Sequence, residues 1–230
     1  MSEQKPDPTA DAKADDGADI DEAADAVDPV VVDFWQWFAG VAPKLAKPQP
    51  PEGLIDELTV RVQEDLGVPG WEIGPDPAGA ARMFALSPEG DPELLAVTGA
   101  VVDAAPALAG WAFYAARPAR PGAPLRFTMG DVDIDASAWR FVCLAAPEGG
   151  EDETGIVVEQ PGLEKRLKRE DDRLAAAVIC LDGLIGEGRR LETFSEVYAV
   201  PRMRPEEAAL ARPIAELLAA LDEDPNDDDS

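Results

Sequence analysis

The sequence predicts an α+β domain: a mixed, mainly antiparallel sheet with helices packed on one side. Three observations predict it. Segments of helical and strand periodicity succeed one another as two helices, two strands, a helix, four strands, a helix, a strand and a helix. The stretch Asp91 to Pro118 reads as one helix, one tight turn and one strand apolar on both faces, which locates a core. The stretches Trp71–Pro118 and Trp139–Pro201 each run strand, strand, helix, strand, which suggests two pseudo-symmetric ββαβ halves or two sub-domains.

Each element has a local cause. Asp28-Pro29 is a helix start, and Val30 to Val41 reads as a short helix with Phe34, Phe38 and Val41 on one face. Trp35 and Trp37 point elsewhere, so this helix is either sandwiched in the core or presents an aromatic partner face. Pro43 and Pro48-Gln49-Pro50-Pro51 read as a stiff link. Leu54, Ile55, Leu58, Val62 and Leu66 make a second amphipathic helix, stopped by Gly67. Gly70 to Ile73 and Arg82 to Leu86 follow as strands. The pairing of Gly70-Trp71 with Gly110-Trp111 is an echo that coincidence explains more simply than an old duplication.

Asp91-Pro92-Glu93 starts the next helix, whose apolar stripe is Leu94, Val97, Val101 and Ala105. Pro106 ends it, and Gly110 hands the chain to the strand Trp111 to Ala116, expected at the sheet centre. Leu125 to Met129 alternates, Gly130 marks a bend or bulge, and Asp131 to Asp135 continues the alternation. Trp139 to Leu144 and Ile156 to Val158 read as a hairpin across the acidic loop Pro147 to Thr154. The longest helix is expected from Leu163 to Ile185, ended by Gly186 and Gly188. Thr193 to Val200 is the last strand, and Pro205 opens a C-terminal helix interrupted at Pro213.

The net charge of -27 is unevenly spread. Residues 1–29 carry -8 and residues 222–230 carry -6, which leaves -13 for residues 30–221. Both ends are poor in large apolar groups and read as disordered acidic tails flanking a single domain over residues 30–221. Such a charge repels phosphates and anionic lipid, so neither nucleic acid nor a membrane is expected as partner. It favours basic partners, or serves solubility or adaptation to high salt. Cys143 and Cys180 stand apart in apolar surroundings, so reduced, mostly buried thiols in a cytoplasmic protein are expected. The longest apolar run, Leu174 to Leu181, is far short of a membrane span, and the N-terminus has no apolar leader.

Much catalytic chemistry is excluded by inventory. There is no His, hence no Ser–His or Cys–His pair. No phosphate-cradling loop, dinucleotide fingerprint or serine elbow occurs. Asp131, Asp133 and Asp135 alternate with Val132 and Ile134. On one strand all three would face the same side, a candidate site for Mg²⁺ or Ca²⁺, although a half-exposed strand gives the same pattern. Lys165, Arg166, Lys168 and Arg169 form the one dense basic island, among Glu164, Glu170, Asp171 and Asp172. Helix-surface pairing explains it, and docking of the protein's own acidic tails is the alternative. No catalytic, cofactor-binding or metal-binding residue is assigned, and no cofactor is implied.

The runs Phe34-Trp35-Gln36-Trp37-Phe38, Ser87-Pro88-Glu89-Gly90-Asp91 and Ala105 to Trp111 resemble, in that order, a group of uncharacterised bacterial α+β proteins. The likeness spans about residues 31–201. It implies a cytosolic bacterial domain and carries no activity with it.

The expected function is therefore that of a non-enzymatic cytosolic protein whose acidic surface engages a basic protein partner, an inhibitor or immunity-type protein being one form. The alternatives are a metal- or carboxylate-dependent enzyme drawing on Asp131, Asp133, Asp135 or Glu72, and a structural accessory domain.

Overall fold

The computed structural model describes residues 27–120, 122, 125–144 and 154–223. Most of both expected tails, and the acidic loop before Thr154, lie outside the described residues.

Asp28 opens α1 (Pro29–Leu45): its Oδ1 accepts from the Val30 amide at 2.8 Å, and Pro29 takes the first helical position. The helix runs past its expected end through Pro43, and the Ala46 amide still reaches the Ala42 carbonyl at 2.9 Å. Phe34, Trp35 and Phe38 are all buried. Their rings meet the sheet, with Trp35 4.7 Å from Phe113 and Phe38 4.9 Å from Phe84. Phe34, Trp35 and Phe38 thus face the core, while Val30, Val32 and Asp33 leave the opposite face exposed, so the helix packs on one side and is not sandwiched. Trp37 is half-buried beneath the Arg61 guanidinium, 4.8 Å above its ring.

α2 (Leu54–Val60) continues into a π-helical turn, Arg61–Asp65, and Gly67 turns the chain at φ 67°. β1 (Gly70–Gly74) pairs antiparallel with β2 (Arg82–Ser87). α3 (Leu94–Asp103) then brings β3 (Trp111–Tyr114) back parallel to β2. The order β1-β2-β3 makes β3 an edge strand, which corrects its expected central place. β2 is the central strand, buried from Met83 to Ser87. β3 looks central in sequence because both faces carry apolar or aromatic residues, but Trp111 and Phe113 pack on α1 while Tyr114, on the opposite face, donates its hydroxyl to Asp76 Oδ1 at 2.6 Å.

β4 (Arg126–Met129) and β5 (Val132–Asp135) form a tight antiparallel hairpin. Gly130, at φ 57°, reverses the chain rather than bending one long strand. β6 (Arg140–Leu144) and β7 (Gly155–Glu159) pair antiparallel, as expected. α4 (Glu170–Ile185) and α5 (Glu187–Thr193) lead to β8 (Glu196–Val200), parallel to β7. α6 (Pro205–Leu210), a short β9 (Arg212–Pro213) beside β6, and α7 (Leu217–Asp222) complete the chain. The second sheet runs β8-β7-β6-β9.

Three boundaries differ from expectation for electrostatic and steric reasons. The long helix starts at Glu170, not Leu163, because Glu170, Asp171 and Asp172 suit the positive end of the helix dipole and the basic island before them does not. Leu163 to Lys165 is a separate 3-10 turn. Gly188 lies inside α5, and Thr193 ends that helix instead of starting a strand. Of the cysteines, Cys180 is buried, its thiol pushed up to about 12 by burial, whereas Cys143 is exposed.

The fold is α+β, with antiparallel pairings outnumbering parallel ones. It holds two separate main cores. One joins α1, α2 and α3 to Phe84 and Leu86 of β2. The other joins α4 to Phe141, Ile156 and Val158, while Val142 and Val157 on the opposite face pack with Met203 and Ala208. In β1-β2-α3-β3 and in β6-β7-α4-α5-β8 an antiparallel pairing is followed by a parallel one, but the second carries two helices where the first has one, and the order of pairings does not make the halves symmetric.

Candidate functional site

The hairpin separates the three aspartates of the candidate metal site. Asp131 lies in the turn, while Asp133 and Asp135 are exposed on β5. Asp133 accepts from Thr128 Oγ1 at 2.9 Å. Asp135 accepts from the Ser137 amide at 3.0 Å and Arg126 Nε at 2.9 Å, and its carboxyl lies below the usual range chiefly through its hydrogen bonds to Ser137. Among the described residues no three Cys, Asp or Glu side chains are grouped to hold a metal. Glu72 forms an ion pair with Arg120. The basic island is exposed and lies before α4 rather than on it, with Lys165 closing the 3-10 turn; Arg169 pairs with Asp171 at 3.1 Å, and Arg166 borders a shallow depression with Asp133 and Asp135.

Carboxylates that the sequence did not single out meet between the halves. Glu187 is almost fully buried. Its Oε1 accepts from Ser87 Oγ of β2 at 2.9 Å, and its Oε2 from the Arg117 amide at 3.2 Å. Its own amide donates to the Arg117 carbonyl at 2.9 Å. Asp182, one turn before, accepts from Arg190 Nε, and both side chains are buried. Burial pushes the Asp182 carboxyl above its ordinary value, more than the neighbouring Arg190 pulls it down. Glu89 pairs with Arg117 at the mouth. That carboxylate is held in place by its backbone, at φ 53°, in a turn closed by the Asp91 amide on the Pro88 carbonyl. Gly70 makes room for it, since a Cβ there would lie 2.5 Å from Glu89 Oε1.

These groups line a cleft of about 330 Å³ whose other wall is Leu174, Val178 and Phe194. Acids do converge there in unequal surroundings, but each is already engaged: Glu187 across the halves, Asp182 by Arg190, Glu89 by Arg117. The arrangement is a polar clamp that fastens α5 to β2 and to the segment linking the halves. One cue was present in the sequence: Asp182 is the one charged residue between Leu174 and Ile185.

A second concavity, of about 730 Å³, runs between α1, the end of the π-helical turn and α3. Trp35 Nε1 donates to the Val101 carbonyl at 2.7 Å and ties its two walls together. Val30 and Val97 line it and remain more than 40 % exposed. Val97 was expected on the buried stripe of α3, but that helix turns Thr98 and Val101 inward instead, because the Thr98 hydroxyl is satisfied by the Leu94 and Leu95 carbonyls. Asp28, Asp65 and Asp103 complete the lining. Asp65 lies 3.8 Å from Arg61, and Asp103 has no ion-pair partner among the described residues.

No protein-family model matches the chain, and no curated protein or solved structure matches it. Among the described residues no helix is long and apolar enough to cross a membrane.

Proposed function

We propose that this is a non-enzymatic interaction protein whose acidic surface engages a positively charged protein partner. An inhibitor or immunity-type protein that masks a basic toxin or nuclease is its concrete form. The observation that carries the reading is the disposition of charge. Most of the arginines are held in ion pairs with the protein's own acids, Arg61, Arg117, Arg140, Arg190 and Arg212 among them. With most arginines paired internally, the excess of acids sets the outer field. That field steers basic proteins in and keeps phosphates and anionic lipid away. The reading places the protein in a reducing cytoplasm, in keeping with two free cysteines among the described residues.

Affinity purification from the native host followed by association kinetics across salt concentrations tests it. The expected partner is basic, and its association slows as salt rises. Recovery of an acidic partner, or association indifferent to salt, ends the reading. One observation favours a second reading, carboxylate catalysis: the convergence of Asp182, Glu187 and Glu89 in the cleft. It requires that a small molecule raise the melting temperature of the wild type and not of Asp182→Asn.

A further inference from the structure

We infer that the groove between α1 and α3 is the docking site for a basic amphipathic helix of the partner; the inference rests on the reading above and gives it an address. The groove is apolar along its floor and negative at its rim. Val30, Val97 and Val101 supply the floor, and Asp28, Asp65 and Asp103 the rim. Two helix C-termini border it, that of α3 at Asp103 and that of the π-helical turn at Asp65, and each adds partial negative charge. The one positive helix end nearby, that of α1, is capped by Asp28. The walls are helical and offer no open strand edge, so an occupant binds through side chains, as a helix laid in a groove does. The π-helical turn at one end is a kind of irregularity that recurs at functional sites.

Charge decides among the occupants. The chain's own terminal segments, residues 1–26 and 224–230, are acidic and are repelled by the rim. A second copy offers one basic stretch, Lys165 to Arg169, but Leu163 and Leu167 beside it are buried in its own core and cannot fill an apolar floor. A separate partner with leucine-like residues on one helical face and Lys or Arg flanking them satisfies both the floor and the rim.

The test uses the full chain and a fluorescent peptide of about 14 residues, roughly four helical turns, with Leu along one face and Lys on the other. A peptide of the same composition but scrambled spacing is the control. Anisotropy titrations compare wild type with Val97→Asp and Asp103→Lys, both at exposed positions, after circular dichroism shows them folded. The expected result is binding of the amphipathic peptide that weakens about tenfold or more in each variant and with added salt, the scrambled peptide binding less well. Equal binding of the two peptides, or affinity unchanged in both variants, overturns the groove and leaves the acidic-surface reading standing. Salt-independent binding, or no binding of either peptide, overturns the groove and counts against that reading as well. Sedimentation showing a wild-type dimer that Val97→Asp dissociates assigns the groove to a second copy instead, and overturns the inference.

Discussion

Carboxylates occupy two kinds of place in this molecule, and the contrast separates structure from surface. At the clamp, Asp182 and Glu187 are buried, Asp182 held by Arg190 of the next helix and Glu187 by Ser87 across the halves. At the groove, Asp65 and Asp103 are exposed, with at most a loose partner among the described residues. Removing a donor from the first kind strands a charge without water, whereas removing an acid from the second exposes nothing. The same residue type thus holds the fold together in one region and shapes the outer field in the other.

The largest effect that breaks the contrast is expected at Arg190. Arg190→Met leaves Asp182 buried without its partner and lowers stability by about 3–5 kcal/mol, measured by urea unfolding at neutral pH. Gly186→Ala comes next. Gly186 sits at φ 86° and ψ 148°, a region open essentially to glycine alone, and a Cβ there would lie 3.1 Å from the Ala119 amide nitrogen. A loss of about 1–3 kcal/mol is expected, and because this corner positions Glu187, amide exchange should rise at Arg117 as well.

Asp182→Asn sharpens the contrast through pH. Burial raises the folded-state pKa of Asp182 above 3.8, so the folded protein holds this proton more tightly than the unfolded chain. The stability this contributes is fully present below the unfolded value and is lost as pH rises through the raised folded one. The stability of wild type relative to Asp182→Asn should therefore fall across that window, and a difference that rises there instead contradicts the burial argument. Glu159 provides the opposite sign. Burial raises its carboxyl, but the Met203 amide, Arg140 and Arg202 together outweigh that and hold it below its ordinary value. Its contribution is present above that ordinary value and is lost as pH falls, so Glu159→Gln should flatten the acid limb of the unfolding profile.

Smallest of all, Asp103→Asn should change stability by no more than about 0.5 kcal/mol while slowing association with a basic probe. A large stability change there would mean that the groove rim belongs to the structure after all.

Two helix starts were legible in sequence, whereas the long helix begins at Glu170 and not at the expected Leu163. Asp28-Pro29 and Asp91-Pro92 act through side chains and backbone a few residues away, and the Asp28 and Asp91 carboxylates do accept the Val30 and Glu93 amides. The hairpin at Gly130 was half legible: the glycine was visible, and the reversal was not. The candidate site was scarcely legible. Ser87 and Glu187 are a hundred positions apart, and no spacing rule connects them.

What the sequence alone determined was local: the start of α1, which segments alternate, and an acidic balance that holds for any fold of these residues. The tertiary structure decided which strand lies at the centre, which acids are buried and paired, and that Val97 faces solvent beside Asp103. Those outcomes depend on which distant elements compete for the same core, and a turn of one helix by a single residue exchanges a buried Thr98 for an exposed Val97.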